Sequence, residues 1–191
     1  MTQNNRRMPA RRVRATPFLR SRSQLTLRPL VAALAVAFPL VSGAGSLPVP
    51  SNAWIKSSTA TSSGAVASYA TTVNANGSST MTIDQNASRV IYQWQSFDIG
   101  AGNTVNFNMA GTGYAALNRV VGSLSATQIL GSLNATKGGE IYIINPNGIV
   151  FGSTSQVNVG SLIASSLDLR DSDFLNGLSS ISDTSATFSW K

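Results

Sequence analysis

The residues best suited to chemistry in this sequence are three carboxylates, Asp168, Asp171 and Asp173, carried in the run Asp168-Leu169-Arg170-Asp171-Ser172-Asp173-Phe174. At that spacing they would serve as oxygen ligands for calcium or as an acid and base pair for glycosidic cleavage. Calcium needs more oxygen ligands than the run supplies, and no calcium-loop motif surrounds it. The reading adopted is a solvated turn after a strand, with Arg170 beside the acids. There is no His and no Cys, which excludes Ser-His and Cys-His nucleophiles and imidazole or thiolate metal sites. No catalytic residue, metal or cofactor is expected. Trp54, Trp94 and Trp190, with Phe97, Phe107 and Phe151, would suit a carbohydrate-binding face, but aromatics placed singly at alternating positions read better as core. Asn76-Gly77-Ser78, Asn86-Ala87-Ser88 and Asn134-Ala135-Thr136 match the N-glycosylation acceptor pattern, which chance favours in a chain this rich in Asn, Ser and Thr.

Secondary structure is most legible in residues 140–159, EIYIINPNGIVFGSTSQVNV. Asn145-Pro146-Asn147-Gly148 has turn chemistry at every position: Asn to open, Pro to preset φ at i+1, Asn at i+2 and Gly at i+3, which predicts a type I turn. Ile141-Tyr142-Ile143-Ile144 precedes it, Ile149-Val150-Phe151 follows, and Gln156-Val157-Asn158-Val159 comes after the next corner. All are short, β-branched or aromatic runs bounded by Gly, Asn or Ser. Three strands and two corners within twenty residues leave no room for a helix. The segment is either a hairpin pair or successive sides of one solenoid coil, and periodicity alone does not choose.

Upstream, period two dominates. Met81 and Ile83 alternate with Thr82 and Asp84, Val90, Tyr92 and Trp94 with Ile91, Gln93 and Gln95, and Val105, Phe107 and Met109 with Asn106 and Asn108. Loop chemistry at Asn86-Ala87-Ser88, Gly100-Ala101-Gly102-Asn103 and Ala110-Gly111-Thr112-Gly113 separates the runs. One wall is expected to pack inward and the other to meet solvent. This pattern fits an all-β sandwich, barrel or solenoid. Residues 45–79, rich in Ser, Thr, Ala and Gly, show strand character only at 65–69 and 71–73, and their front half is left unassigned.

The chain has 191 residues and a net charge of +7, but the charge is not spread over a surface. Arg6, Arg7, Arg11, Arg12, Arg14, Arg20, Arg22 and Arg28 precede the first apolar run, and the residues beyond it carry one net negative charge. No basic patch remains to neutralise phosphates, so nucleic acid is not an expected partner. The arginine-rich leader, the apolar residues 30–41 and the small residues Ser42-Gly43-Ala44 form an export signal, the apolar run being too short to span a bilayer. Cleavage is expected after Ala44, with Ala53 as the alternative, by signal peptidase after passage through the Sec translocon. Arg11-Arg12 lacks the usual sequel of a twin-arginine signal. Without cysteine, an exported chain depends on burial and hydrogen bonding for stability, which favours a repetitive β structure with one continuous core. The expected organisation is an extended signal peptide at 1–44, a Ser/Thr-rich cap or linker at 45–80 and an all-β domain at 81–191 that is expected to be incomplete at its carboxyl end.

Leu117-Asn118-Arg119-Val120, Ile129-Leu130-Gly131-Ser132-Leu133-Asn134-Ala135, the string from Ile144 through Asn145-Pro146-Asn147-Gly148 to Ile149, residues 162–168 and Asp173-Phe174 resemble, in order and spacing, the amino-terminal secretion domain of filamentous haemagglutinin-like exoproteins. Trp94-Gln95-Ser96-Phe97-Asp98-Ile99-Gly100 resembles that family's opening strand and turn. The resemblance covers residues 86–177. It implies a right-handed parallel β-helix with an amino-terminal cap, with coils of about twenty residues and room for six. It implies two-partner secretion from a Gram-negative bacterium to the surface or medium, by way of the periplasm and an outer-membrane transporter of the Omp85 class with periplasmic domains. Asn145, Pro146, Asn147, Gly148 and Ile149 would be the transporter-recognition and folding motif, with Asn118 and Arg119 in support. Any adhesin, haemolysin or toxin activity, and any contact with a host-surface receptor, would lie in downstream repeats. A second Asn-Pro-Asn motif found in some members is absent, Asn74-Ala75-Asn76-Gly77 being the nearest string. The competing readings are a β-helical polysaccharide-degrading enzyme and an adhesive solenoid without a dedicated transporter.

Overall fold

A computed structural model describes residues 46–61 and 64–178. The expected signal segment, its cleavage point at Ala44, and Trp190 lie outside the described residues. The strands run in chain order as β1 (Val49–Ser58), β2 (Ala67–Val73), β3 (Ser79–Gln85), β4 (Arg89–Ser96), β5 (Thr104–Met109), β6 (Ala115–Val120), β7 (Thr127–Ile129), β8 (Ser132–Ala135), β9 (Glu140–Ile144), β10 (Ile149–Phe151), β11 (Gln156–Asn158) and β12 (Ser161–Ser165), followed by a short helix α1 (Asp171–Leu175).

They form a parallel β-solenoid with three walls. The first wall has the order β1-β4-β6-β9-β12, the second β11-β8-β5-β3-β2, and the third pairs β10 with β7, with Ile99 bridged to Ile129 beside it. Each coil visits the walls in turn, so residues 140–159 are successive sides of one coil rather than a hairpin. Arg89 stacks on Ala115, Ala115 on Glu140 and Glu140 on Ser161. These steps span 26, 25 and 21 residues. Coils are therefore longer than the expected twenty, and the described residues complete four strands of the first wall, β4, β6, β9 and β12, rather than filling six coils. Sandwich and barrel are set aside by this parallel stacking.

The amino-terminal end is closed by antiparallel strands. β1 lies on β4, with irregular register between Val49 and Ser57, and β2 lies on β3 through seven consecutive pairs from Ala67–Gln85 to Val73–Ser79. An antiparallel strand that covers the first edge removes a template for further strand addition. The front half of residues 45–79, unassigned from sequence, holds the ten-residue β1, whose partner is forty residues downstream and whose own composition gives little local signal.

Within the coil, Met81, Ile83, Val90, Tyr92, Trp94, Phe97, Val105, Phe107, Leu133, Ile141 and Ile143 form one buried column. Trp94, Phe97 and Phe107 are thus core, Trp54 is half-buried against them, and among the described candidates Phe151 is the most exposed, at 39%. A second apolar cluster lies on the opposite face of the first wall: Ile91, Ala115, Leu117, Tyr142 and Ile144 pack under Leu169 and Phe174. The expectation that one side of these strands meets solvent fails here. β4, β6 and β9 are buried on both faces, which is why β6 reads as Ala-Ala-Leu-Asn-Arg-Val without clean alternation.

Candidate functional site

The corner between β9 and β10 has the geometry its residues predict. The Gly148 N–H donates to the Asn145 carbonyl at 2.9 Å, Asn147 keeps a negative φ, and the left-handed step falls on Gly148 at φ 97°. The Asn145 side chain is fully buried and all its capacity is used locally. Its Oδ1 accepts the Asn147 N–H at 3.0 Å, and its Nδ2 donates to the Ser125 carbonyl and to Thr127 Oγ1, both at 3.0 Å. Asn147 is exposed and donates through Nδ2 to the Ser123 carbonyl at 3.0 Å. Both amides therefore grip residues 123–127 of the preceding coil, and the Thr127 N–H returns a bond to the Gly148 carbonyl at 3.0 Å. Pro146 sits exposed at the apex. Ile149 opens β10 opposite Thr127 and packs against the inner column.

Adjacent residues of β6 separate the other two candidates. Asn118 points inward, where its Oδ1 accepts the Trp94 indole N–H at 3.0 Å and its Nδ2 donates to the Tyr142 carbonyl at 3.1 Å. It joins three successive coils. Gln85 does comparable work nearby, donating to the Ala87 and Ala115 carbonyls and accepting the Tyr92 hydroxyl; burial pushes that phenol far above its ordinary range.

Arg119 points outward, is 4% exposed, and donates to Asp168 Oδ1 at 2.8 Å, Asp171 Oδ1 at 2.9 Å and the Leu169 carbonyl at 2.7 Å. Lys56 of β1 takes the other oxygen of Asp171 at 2.7 Å. The solvated turn expected here is therefore corrected: Asp168 and Asp171 are turned onto a buried guanidinium about fifty residues away rather than onto Arg170. Burial by itself would raise the Asp171 carboxyl, but the Lys56 hydrogen bond and the charge and hydrogen bond of Arg119 outweigh it and hold the group below its usual range. Asp173 lies in the first turn of the same helix without joining this cluster. Tyr142, which donates to Glu140, is pushed up by burial and by the Glu140 charge, with Arg89 opposing.

The two candidate motifs meet. Arg119, Val120, Val121, Ile144, Pro146 and Asp168 line a half-open cavity of about 200 Å³. Ala53, the alternative cleavage point, lies inside β1, and a cut there would remove the pairings of Val49 with Ser96 and Pro50 with Trp94. Sequence reading missed Lys56, Leu169 and Phe174 as members of this assembly. The signal that would have found them is the apolar Ile91 on a face expected to meet solvent, the same face as Leu117 and Ile144 of the next two coils. Among the described residues no group of His, Cys, Asp or Glu is arranged to hold a metal.

Residues 55–190 match the family model described as the TPS secretion domain. Two heme/hemopexin-binding proteins of Haemophilus influenzae, one of them from strain Rd, are 41% and 39% identical over 90 residues, or 47% of this chain. The match spans only 10% and 9% of those relatives. A crystal structure of the HMW1 secretion domain from Haemophilus influenzae is 28% identical, with a TM-score of 0.46 over 56% of this chain and 27% of that one.

Proposed function

The chain belongs to the TPS, or two-partner secretion, domain family, and on that premise we propose that it directs an exoprotein to a dedicated outer-membrane transporter of the Omp85 class and nucleates the β-helix that forms at the cell surface. The observation that carries this reading is the family match across residues 55–190. The family is one of secretion domains rather than of enzymes. A secreted or surface location and a dedicated transporter follow from membership; the route through Sec and signal peptidase, with cleavage after Ala44, belongs to the proposal.

The mechanism rests on what a coil offers before and after it folds. As an extended chain, residues 81–109 and 141–159 carry alternating side chains and free backbone edges, the form that periplasmic domains of a transporter bind by strand addition. Once folded, the same edges are consumed by the neighbouring coils. Asn145, Pro146, Asn147 and Gly148 would act by fixing the corner early, with Asn118 locking the coil beneath it. A polysaccharide-cleaving role would need two carboxylates facing a substrate, whereas Asp168 and Asp171 face Arg119.

The test is secretion of the chain, tagged at its carboxyl terminus, from cells with and without the Omp85-class pore encoded beside it. Appearance in the medium only with the pore supports the proposal. Equal release without it overturns the transporter assignment, and pore-dependent release of an Asn145→Ala chain at the wild-type rate would remove the corner from the mechanism.

A further inference from the structure

Beyond β12 the chain turns back over its own coils. Leu169 and Phe174 close the outer apolar face of the first wall, covering Ile91 of β4, Leu117 of β6 and Tyr142 and Ile144 of β9. The Phe174 ring meets Tyr142 edge-on at 5.3 Å and lies 5.5 Å below the Arg89 guanidinium. Asp168 and Asp171 reach Arg119 of β6 across 49 and 52 residues of sequence, and Asp171 continues to Lys56 of the cap. One segment thus touches the cap and three coils at once.

Coils in a solenoid contact only their neighbours, so stability is a sum of local terms and an end coil is free to fray by itself. Contacts that skip neighbours change this. We infer that residues 166–178 are a locking strap, which closes only after β12 has docked and which converts the stack of coils into one cooperative unit. Arg119 is the catch, because its three partners all lie in the strap. Until the strap closes, the outer face of β4, β6 and β9 presents apolar surface and the last coil can unwind. Resting on the secretion reading, this makes strap closure the step that completes the surface-folded domain.

Native-state hydrogen exchange on the purified chain, followed by mass spectrometry across a denaturant series, tests the strap without involving transport. In the wild type, peptides from β4, β6, β9 and β12 should lose protection together. In Phe174→Ala, and in Lys56→Met, which cuts only the tie to the cap, β12 and β9 should open at lower denaturant than β4, with exchange in β12 at least about tenfold faster. Arg119→Met should show the larger effect; if that chain does not fold, the other two variants decide. The inference is overturned if the variants still lose protection in all four strands together, since the segment then adds stability without coupling, or if wild-type coils already open one at a time. Neither result depends on the transporter, so a failed strap and a failed secretion reading remain distinguishable.

Discussion

Replacing Asn145 by alanine removes an amide that is wholly buried and fully bonded. The three partners left behind differ. The Ser125 carbonyl and the Asn147 N–H belong to exposed residues and can be rehydrated, so each loss costs about 0.5–1.5 kcal/mol. Thr127 is 2% exposed, and its hydroxyl would be stranded at about 1–3 kcal/mol. The expected total is about 3 kcal/mol, a large part of a typical domain's stability. With a urea dependence of about 2 kcal/mol/M, the unfolding midpoint should fall by about 1.5 M. Equilibrium urea unfolding of Asn145→Ala, Thr127→Val and the double variant measures this and the coupling together. The double variant should be less destabilised than the sum of the singles by about 1 kcal/mol, because Thr127→Val removes the group that Asn145→Ala would strand. A midpoint shift below about 0.3 M, or strict additivity, would refute the argument that this amide holds two coils together.

Gly148 sits at φ 97° with its nearest neighbour, the Ala126 Cβ, 3.8 Å from where a Cβ would stand, so the obstacle to substitution is backbone strain rather than space. Gly148→Val should cost about 1–3 kcal/mol and slow refolding, with Gly148→Ala less affected, as read by stopped-flow fluorescence. Gly131→Ala presents the opposite case: its Cβ would run into the carbonyls of Asn103 and Gly100 of the preceding coil, so the coils must part and the melting temperature should drop by several degrees, about 2 kcal/mol or more. Because the folded-state Asp171 carboxyl is held below its unfolded value, the unfolded chain binds the proton more readily. Its contribution is present above the ordinary carboxylate range near about pH 4 and is lost as pH falls through the folded value. Urea midpoints taken across that window should decline for the wild type and decline less for Asp171→Asn. By the same network, Asp171→Ala should be clearly destabilising, by about 1–3 kcal/mol at neutral pH, contrary to the small effect that a solvated turn would give.

The parts of the site that the sequence exposes are those whose physics is local. A turn of Asn-Pro-Asn-Gly is dictated by the φ that Pro presets, the bond Asn makes to its own backbone two residues on and the freedom of Gly, and all three appear in place. Strands β3 and β5 are legible for a similar reason, since one face of each is buried and the other is not, and period two records that directly. β1 is not legible, because its pairing is imposed by the edge of β4 on a stretch whose own propensities are indifferent.

Composition and local pattern therefore dictate the alternation, the corners, the confinement of excess positive charge to residues 6–28 and the absence of His and Cys chemistry. The tertiary structure alone decided which carboxylates meet which cations. Arg119 and Asp168 are 49 residues apart, a separation at which composition says nothing about proximity. They meet because two further coils, of 25 residues from Arg119 to Ile144 and 21 from Ile144 to Ser165, carry the chain round the solenoid before it turns back over β6. The same return covers the outer face of β4, β6 and β9, so residues that alternate as though facing water are buried by a segment that arrives only after the coils beneath it exist. Local rules fix the strand and the turn, whereas stacking fixes which surface remains to be covered and by what.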